Sequence, residues 1–344
     1  MSSIREARAL FERAEQWSKE GLSLALVTLV QVKGSAYRRP GAKMVMASNG
    51  RMQGTLSGGC LEGDLFVHAE QVMATLEPSL HHYDLTEDDM WGLGIGCKGS
   101  VDIWVEPLDL AKPFWHQFHQ RIEAEEPTLW GATLPNGGRF YAAKGQGPVT
   151  MGESLDFNGF DVPEILGGTE DTGRYQNIWW DVMRPPERLI IAGAGHDAEP
   201  LARLAHQAGF DVIMLDPREH VNNQERFADA QHWVASSADV KPETVDKAFW
   251  VLMNHHQRRD EEAFLLASQS HPKFVGVLGP KSRTDEMMVN MGIKRENLPL
   301  RSPVGLYIGA ENPLEVAVSI VSELMAVRRG TPGGSLHGKE RIHR

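Results

Sequence analysis

Two cysteines occur in 344 residues, Cys60 and Cys97, and each sits in a glycine-rich loop. Ser57-Gly58-Gly59-Cys60-Leu61-Glu62 joins an expected strand to an expected helix, which puts Cys60 at a helix N-terminus. Free N–H groups and the helix dipole favour a thiolate there. The glycines let backbone come close to whatever the sulfur meets. Gly94-Ile95-Gly96-Cys97-Lys98-Gly99 sets the second sulfur in another such loop, beside a cation. Three readings stay open for the pair: small buried hydrophobes, reactive thiols in loops shaped for close approach, or a disulfide. A third loop, 34–43, is basic inside an acidic chain. Its Arg38, Arg39 and Lys43 could clamp an anion, the arginines by paired parallel hydrogen bonds. Three such loops within about a hundred residues suggest one anion-accepting, thiol-lined site.

A different signature stands at Gly193-Ala194-Gly195-His196-Asp197-Ala198, which follows an expected strand and opens an expected helix. It fits G-x-G-x-x-A, with Gly193 for the tight turn and Gly195 for close approach of a phosphate. Asp216 ends the next strand, where an acid accepts from a ribose hydroxyl. NAD(P) is therefore a candidate ligand, although Asp197 and Glu199 would repel a phosphate at the same helix end. His255 and Asp260 follow a later strand at the sheet edge where open α/β folds bind ligands, with a solvent-facing capping cluster as the plainer reading. Lys281 and Arg283 open another helix and could meet a phosphate. The histidines are read as scattered, without i,i+4 carboxylate partners, and no dedicated zinc site is expected.

These loops need elements to hold them. Apolar spacing predicts a helix over 3–20, a buried strand over 22–32 and a hairpin of 43–48 with 51–57 around Asn49-Gly50. A helix over 61–76 and a strand over 102–108 complete an N-terminal mixed α/β domain, 1–108. Residues 109–186 read as a connecting segment with short strands and a helix near 113–124, ending at Pro185-Pro186. Trp179-Trp180 before that linker is expected to pack the two domains together. From 187 to 329 strands alternate with helices, the pattern of a Rossmann-like, doubly wound parallel sheet. Asn312-Pro313-Leu314-Glu315 is a strong start signal for the last helix. The tail, 330–344, lacks an apolar pattern and is expected to be disordered.

Composition narrows the function classes. With 35 basic and 46 acidic side chains the formal charge is −11, which argues against a nucleic-acid surface. Two cysteines exclude a disulfide scaffold and a four-cysteine zinc site. No apolar run approaches the ~18 residues of a membrane span, and the amphipathic N-terminus lacks the apolar block of a signal peptide, so a cytoplasmic location is expected.

The segments GSAYRRPGAKM, SGGCLEG, GLGIGCKG, GAGHDAEPLARLA and SPVGLYIGAENPLEVAVSIVSELMAVRRG, in this order, resemble the XdhC/CoxI family of xanthine dehydrogenase accessory factors. The resemblance covers about 22–108 and 188–329. It implies an N-terminal XdhC/CoxI domain and a C-terminal Rossmann domain, commonly in a homodimer. It implies a protein that binds molybdenum cofactor, supports its sulfuration by a cysteine desulfurase and hands it to an apo molybdenum hydroxylase. The family's SGGCxE cysteine falls on Cys60, and that of its GCGG-like loop on Cys97, here Gly96-Cys97-Lys98-Gly99. The implied site sets Arg38, Arg39 and Lys43 on anionic parts of the cofactor. Cys60 and Cys97, with Gly58, Gly59 and Gly96 around them, face the molybdenum or its exchangeable sulfur, Cys97 being the candidate metal ligand. Gly193, Gly195, His196, Asp216, His255, Asp260, Lys281 and Arg283 form the candidate binding set of the second domain. An NAD(P)-dependent oxidoreductase on the Rossmann domain is the alternative.

Overall fold

The structure is a computed structural model that describes residues 4–85, 99–135, 137–152 and 155–338. The chain divides into two compact units, one running to Pro185 and the other over Pro186–Gly338.

The first unit holds two antiparallel five-stranded sheets. Strands β1 (Leu24–Gly34), β2 (Lys43–Ala47), β3 (Met52–Gly54), β4 (Ser79–Asp84) and β5 (Gly99–Pro107) are ordered β3-β2-β1-β5-β4. Strands β6 (Thr128–Thr133), β7 (Arg139–Ala143), β8 (Val149–Met151), β9 (Thr172–Tyr175) and β10 (Ile178–Met183) are ordered β8-β7-β6-β10-β9. Helices α1 (Ile4–Lys19), α2 (Glu62–Thr75), α3 (Pro113–Glu123) and α4 (Val162–Gly167) cover them. The apolar run of β1 is continuous because both of its faces are covered. Leu24 and Leu26 join α1, α3 and the tryptophans Trp104, Trp115, Trp130 and Trp179 in one core. Ala25, Val27 and Leu29 join Leu65, Ala69 and Val72 of α2 in another. Segment 109–186 thus carries a five-stranded sheet of its own. Trp179 and Trp180, on successive positions of β10, enter the cores on the two faces of that sheet, so both are packed within the first unit.

Buried charge links the two sheets. Lys43 Nζ donates to Asp181 and, at 2.7 Å, to the Gly41 carbonyl, while Trp130 Nε1 donates to Asp181 Oδ2 at 3.0 Å. Arg139 pairs with Glu106 through two hydrogen bonds and lies over the rings of Trp130 and Trp104. Ions removed from water persist only with such partners.

The second unit is a six-stranded parallel sheet. Strands β11 (Arg188–Ala192), β12 (Asp211–Leu215), β13 (Gln231–Trp233), β14 (Phe249–Leu252), β15 (Phe274–Val277) and β16 (Leu300–Arg301) are ordered β13-β12-β11-β14-β15-β16. Helices α5 (Ala198–Gln207), α6 (Gln257–Gln269), α7 (Lys281–Met291) and α8 (Pro313–Arg328) flank it. Alternation along each strand feeds two cores. Leu189, Ile191, Val212 and Val251 meet α5 and α8, whereas Ile190, Ile213, Trp250 and Val275 meet α6 and α7. This is the doubly wound arrangement that the sequence pattern predicts. The capping box opens α8: Asn312 Oδ1 accepts from the N–H groups of Leu314 and Glu315, and Glu315 returns a bond to the Asn312 N–H. The first residues after α8 are tied to it, Thr331 N–H donating to the Ala326 carbonyl at 2.8 Å; residues 339–344 lie outside the described ones.

Among the described residues no helix is long and apolar enough to cross a membrane.

Candidate functional site

The turn carrying Cys60 runs from the end of β3 into α2. Gly58 and Gly59 have φ of +76° and +111°, conformations that disfavour any side chain. They swing the chain so that Cys60 is exposed, which removes the buried-hydrophobe reading for this thiol. Leu61 precedes α2 and offers no side-chain cap. Ser57 Oγ does that work, accepting from the Leu61 N–H at 2.8 Å. Glu62 supplies the larger part of the order. Its carboxylate accepts from Thr55 Oγ1 at 3.1 Å, from the N–H groups of Leu56, Ser57 and Gly59 at 3.1, 3.0 and 2.9 Å, and from Ser57 Oγ. Burial pushes this carboxyl up, but the hydrogen bonds from Ser57 and the N–H of Leu56 outweigh it and hold it at about 2.

Beside the thiol lies a narrow apolar hollow with free room of about 20 Å³, lined by Leu29, Ala36, Tyr37, Leu56, Ser57, Cys60, Leu61, Leu85, Val101 and Ile103. Leu85 N–H donates to the Gly99 carbonyl at 2.8 Å, closing β4 against β5 at the hollow. Gly99 is required there, since a Cβ would lie 2.3 Å from the Lys33 carbonyl oxygen. Gly96 and Cys97 lie outside the described residues.

The basic loop does not act as a unit. Lys43, expected to hold an anion, is 2% exposed and bound to Asp181, so its charge serves the interior of the first unit. Burial lowers its pKa, and Asp181 opposes that shift. Arg38 pairs with Glu6 of α1 at 2.5 Å. Arg39 and Tyr37 are exposed, and the Tyr37 ring lies over Gly58.

In the second unit, Gly193 has φ of +114°, and a Cβ there would sit 2.6 Å from the Met253 carbonyl oxygen. The turn matches the fingerprint, but its N–H is already used. Ala194 N–H donates to Asp216 Oδ2 at 2.9 Å, and Arg218 gives the same carboxylate its N–H, Nε and Nη2 at 2.9, 2.9 and 2.7 Å. Asp216 is fully buried. Burial raises its pKa, yet the bonds from Arg218 and Ala194 bring the net shift down. The expected ribose acceptor is therefore sealed inside the protein, and the NAD(P) expectation loses its main support. Glu199 is bound by Arg226 Nε and Nη2 at 2.9 and 2.5 Å, and Arg226 Nη1 donates to the Ala194 carbonyl. His196 projects into solvent, with Nδ1 3.3 Å from Glu199.

Asp197 meets His255 Nε2 at 2.6 Å, and Gly195 lies beside both. His255 holds a left-handed φ of +53°, unusual for a residue with a side chain. Asp260 is not at the surface. It is fully buried, accepts from the Asn254 N–H and Nδ2 at 3.0 Å each, and is bound by Arg283. Asp260 and Arg283 thus neutralise each other and clamp the chain before His255, while Lys281 is exposed at the start of α7. Two i,i+4 pairs also correct the reading of the histidines: Asp64–His68 and His119–Glu123, each at 3.5 Å. Among the described residues no group of three or more His, Cys, Asp or Glu side chains is placed to hold a metal ion.

The structure therefore groups Gly193, Gly195, Asp197 and His255, joins Asp260 to Arg283, and separates Lys43 from the anion-binding set. Glu62 is the organising residue that the sequence reading passed over. Its signal was an acid two places after the cysteine, following four small residues. Arg226 carried no local signal, because its partner Glu199 is 27 positions away, whereas Arg218 stands only two positions after Asp216.

The amino-acid sequence matches the model of the XdhC and CoxI family over residues 17–84 and that of the XdhC Rossmann domain over 189–324. It is 32% identical over 323 residues to a probable xanthine dehydrogenase subunit of Bacillus subtilis (strain 168), covering 88% of this chain and 93% of that protein. The chain belongs to the XdhC and CoxI family. A second member, the molybdenum cofactor insertion chaperone PaoD of Escherichia coli (strain K12), is 25% identical over 331 residues, which cover 93% of this chain and 88% of PaoD. A crystal structure described as a xanthine dehydrogenase from Bacillus halodurans superposes with a TM-score of 0.78 at 31% identity, covering 98% of both chains. Within this XdhC/CoxI protein, the first family segment contains the basic loop and the whole Cys60 turn, and the second contains the Gly193 turn, His255 and Arg283.

Proposed function

We propose that this protein is an accessory factor that binds molybdenum cofactor and delivers it to a molybdenum hydroxylase of the xanthine dehydrogenase type. The observation that carries the reading is the Cys60 turn. An exposed thiol stands on a preorganised double-glycine turn, at the rim of an apolar hollow, in the segment shared with the family. The relatives' descriptions, one as a cofactor insertion chaperone and the other as part of a xanthine dehydrogenase, support the same cargo.

The cargo carries a phosphate, a planar pterin and a dithiolene-bound metal with an exchangeable sulfur. Cys60 offers a soft donor suited to such a centre. The hollow is too narrow to admit a ring, and its rim, with Tyr37 at the edge, offers apolar surface for a ring to lie against from outside. Arg39 is exposed on the same loop as Tyr37 and offers an anion donor. The sequence places Cys97 as the second sulfur. On this reading a cysteine desulfurase supplies sulfur to the held cargo, the protein works in the cytoplasm as a homodimer, and the second unit carries a binding set of its own in Gly195, His196, His255 and Lys281.

Purification from a molybdopterin-making strain, followed by oxidative release and pterin fluorescence, tests the reading. The wild-type protein should carry pterin, and Cys60→Ala should retain several-fold less. Equal pterin in both would remove the thiol from the function, and none in the wild type would remove the cargo.

A further inference from the structure

Glu62 stands two residues after Cys60, and its carboxylate is bonded into the loop that precedes the thiol. Oε1 accepts from Thr55 Oγ1 and the N–H groups of Leu56 and Ser57, and Oε2 accepts from the Gly59 N–H and Ser57 Oγ. Ser57 passes the order on by accepting from Leu61 N–H, and Thr55 Oγ1 accepts from Gly58 N–H at 3.2 Å. Three successive residues, Gly58, Gly59 and Cys60, are exposed on the outer side of this bonded interior. Two successive glycines at positive φ would otherwise leave the turn loosely held.

We infer that Glu62 is the positioning residue of Cys60: its carboxylate gathers the backbone N–H groups of the turn and so fixes where the thiol is presented to the cargo. The role as presenter of a cargo-binding thiol rests on the proposed function; the fixing of the turn does not. A helix-dipole role alone would need no bonds to residues 56–59, and Asp64 already supplies an acid to the first turn of α2. Proton donation is a poor alternative, since both oxygens of Glu62 already act as acceptors from several donors and the group stays ionised near neutral pH.

The division of bonds between the two oxygens yields the test. In Glu62→Gln the carboxamide oxygen can keep the Oε1 set, while its NH₂ replaces Oε2 and cannot accept from Gly59. Residue-resolved hydrogen exchange on the full chain should then show the Gly59 amide exchanging roughly tenfold faster, with Leu56 and Ser57 little changed. In Glu62→Ala all three amides should accelerate. Site-resolved alkylation of Cys60 by iodoacetamide should speed up in the same order, because the turn loosens and an adjacent anion is removed. Pterin content per folded protein, measured well below the unfolding temperature, should fall from wild type to Gln to Ala.

Unchanged Gly59 exchange and unchanged alkylation in Glu62→Gln would overturn the inference. So would faster exchange with wild-type pterin content, since the order would then be structural only. Should Glu62→Ala fail to fold, the Gln variant still decides. Absence of pterin from the wild type would sink the cargo reading alone, while exchange and alkylation would still decide whether Glu62 fixes the turn.

Discussion

The two glycine turns of this protein begin alike and end differently. Each bends a strand into a helix with a glycine at positive φ, and in each a carboxylate fills backbone N–H groups from behind. At the Cys60 turn that carboxylate is Glu62, which belongs to the turn itself and leaves a thiol facing outward. At the Gly193 turn it is Asp216, which comes from the next strand with Arg218 attached and takes the N–H that a phosphate would use. What remains outward there is a carboxylate, Asp197, against an imidazole, His255. A glycine signature thus fixes the shape of a turn, and the nearest buried acid decides what chemistry is left over.

The contrast can be broken at four points. The largest effect is expected at Gly193→Ala. The new methyl meets the Met253 carbonyl oxygen in a backbone conformation that alanine resists, so the second unit should lose about 3–5 kcal/mol in urea unfolding followed by tryptophan fluorescence. Gly59→Ala meets nothing within 4 Å and carries only the conformational penalty, about 1–2 kcal/mol. A loss at Gly59 equal to that at Gly193 would end the distinction between a packed and an open turn.

Asp216→Ala should come next, at about 2–3 kcal/mol, because it strands the Ala194 N–H and removes the partner of Arg218. NADH titration should show no gain or loss of tryptophan quenching between this variant and the wild type. Saturable binding that disappears with Asp216 would restore the dinucleotide reading.

Acid should then act on the Cys60 turn. The folded pKa of Glu62, about 2, lies below its ordinary 4.5, so its contribution is fully present above pH 4.5 and is lost as pH falls toward 2. That contribution is about 2 kcal/mol once solvent screening is allowed for. Glu62→Gln should flatten the stability profile across that window, and an unchanged slope would contradict the bonding described. The smallest effect is expected at His255→Gly, where relief of the left-handed backbone offsets the lost bond to Asp197 and leaves stability within about 1 kcal/mol.

Local patterns were legible. The short apolar runs RLIIA, DVIML and FWVL, separated by helical stretches, named the strands of the parallel sheet, and Asn312 with Glu315 named the start of α8. Lys43 was misread because a lysine beside two arginines looks like surface charge, and its partner Asp181 is 138 positions away. Asp216 was placed correctly at a strand end, but the burial that silences it depends on Arg218 folding back over it. β4 was missed since Ser79–Asp84 is polar and half exposed, and pairing with β5 makes it a strand. Sequence periodicity reports which face an element buries. It does not report which distant charge an ion will find.

The cross-sheet ion pairs of the first unit bear on how that unit assembles. Lys43 and Arg139 each reach a carboxylate on the opposite sheet. Slipping β2 or β7 by a single residue within its own sheet would turn Lys43 or Arg139 to the other face and leave Asp181 or Glu106 bare in a dry interior, a penalty of several kcal/mol apiece. Misaligned collapsed forms are thereby disfavoured while the chain is still condensing.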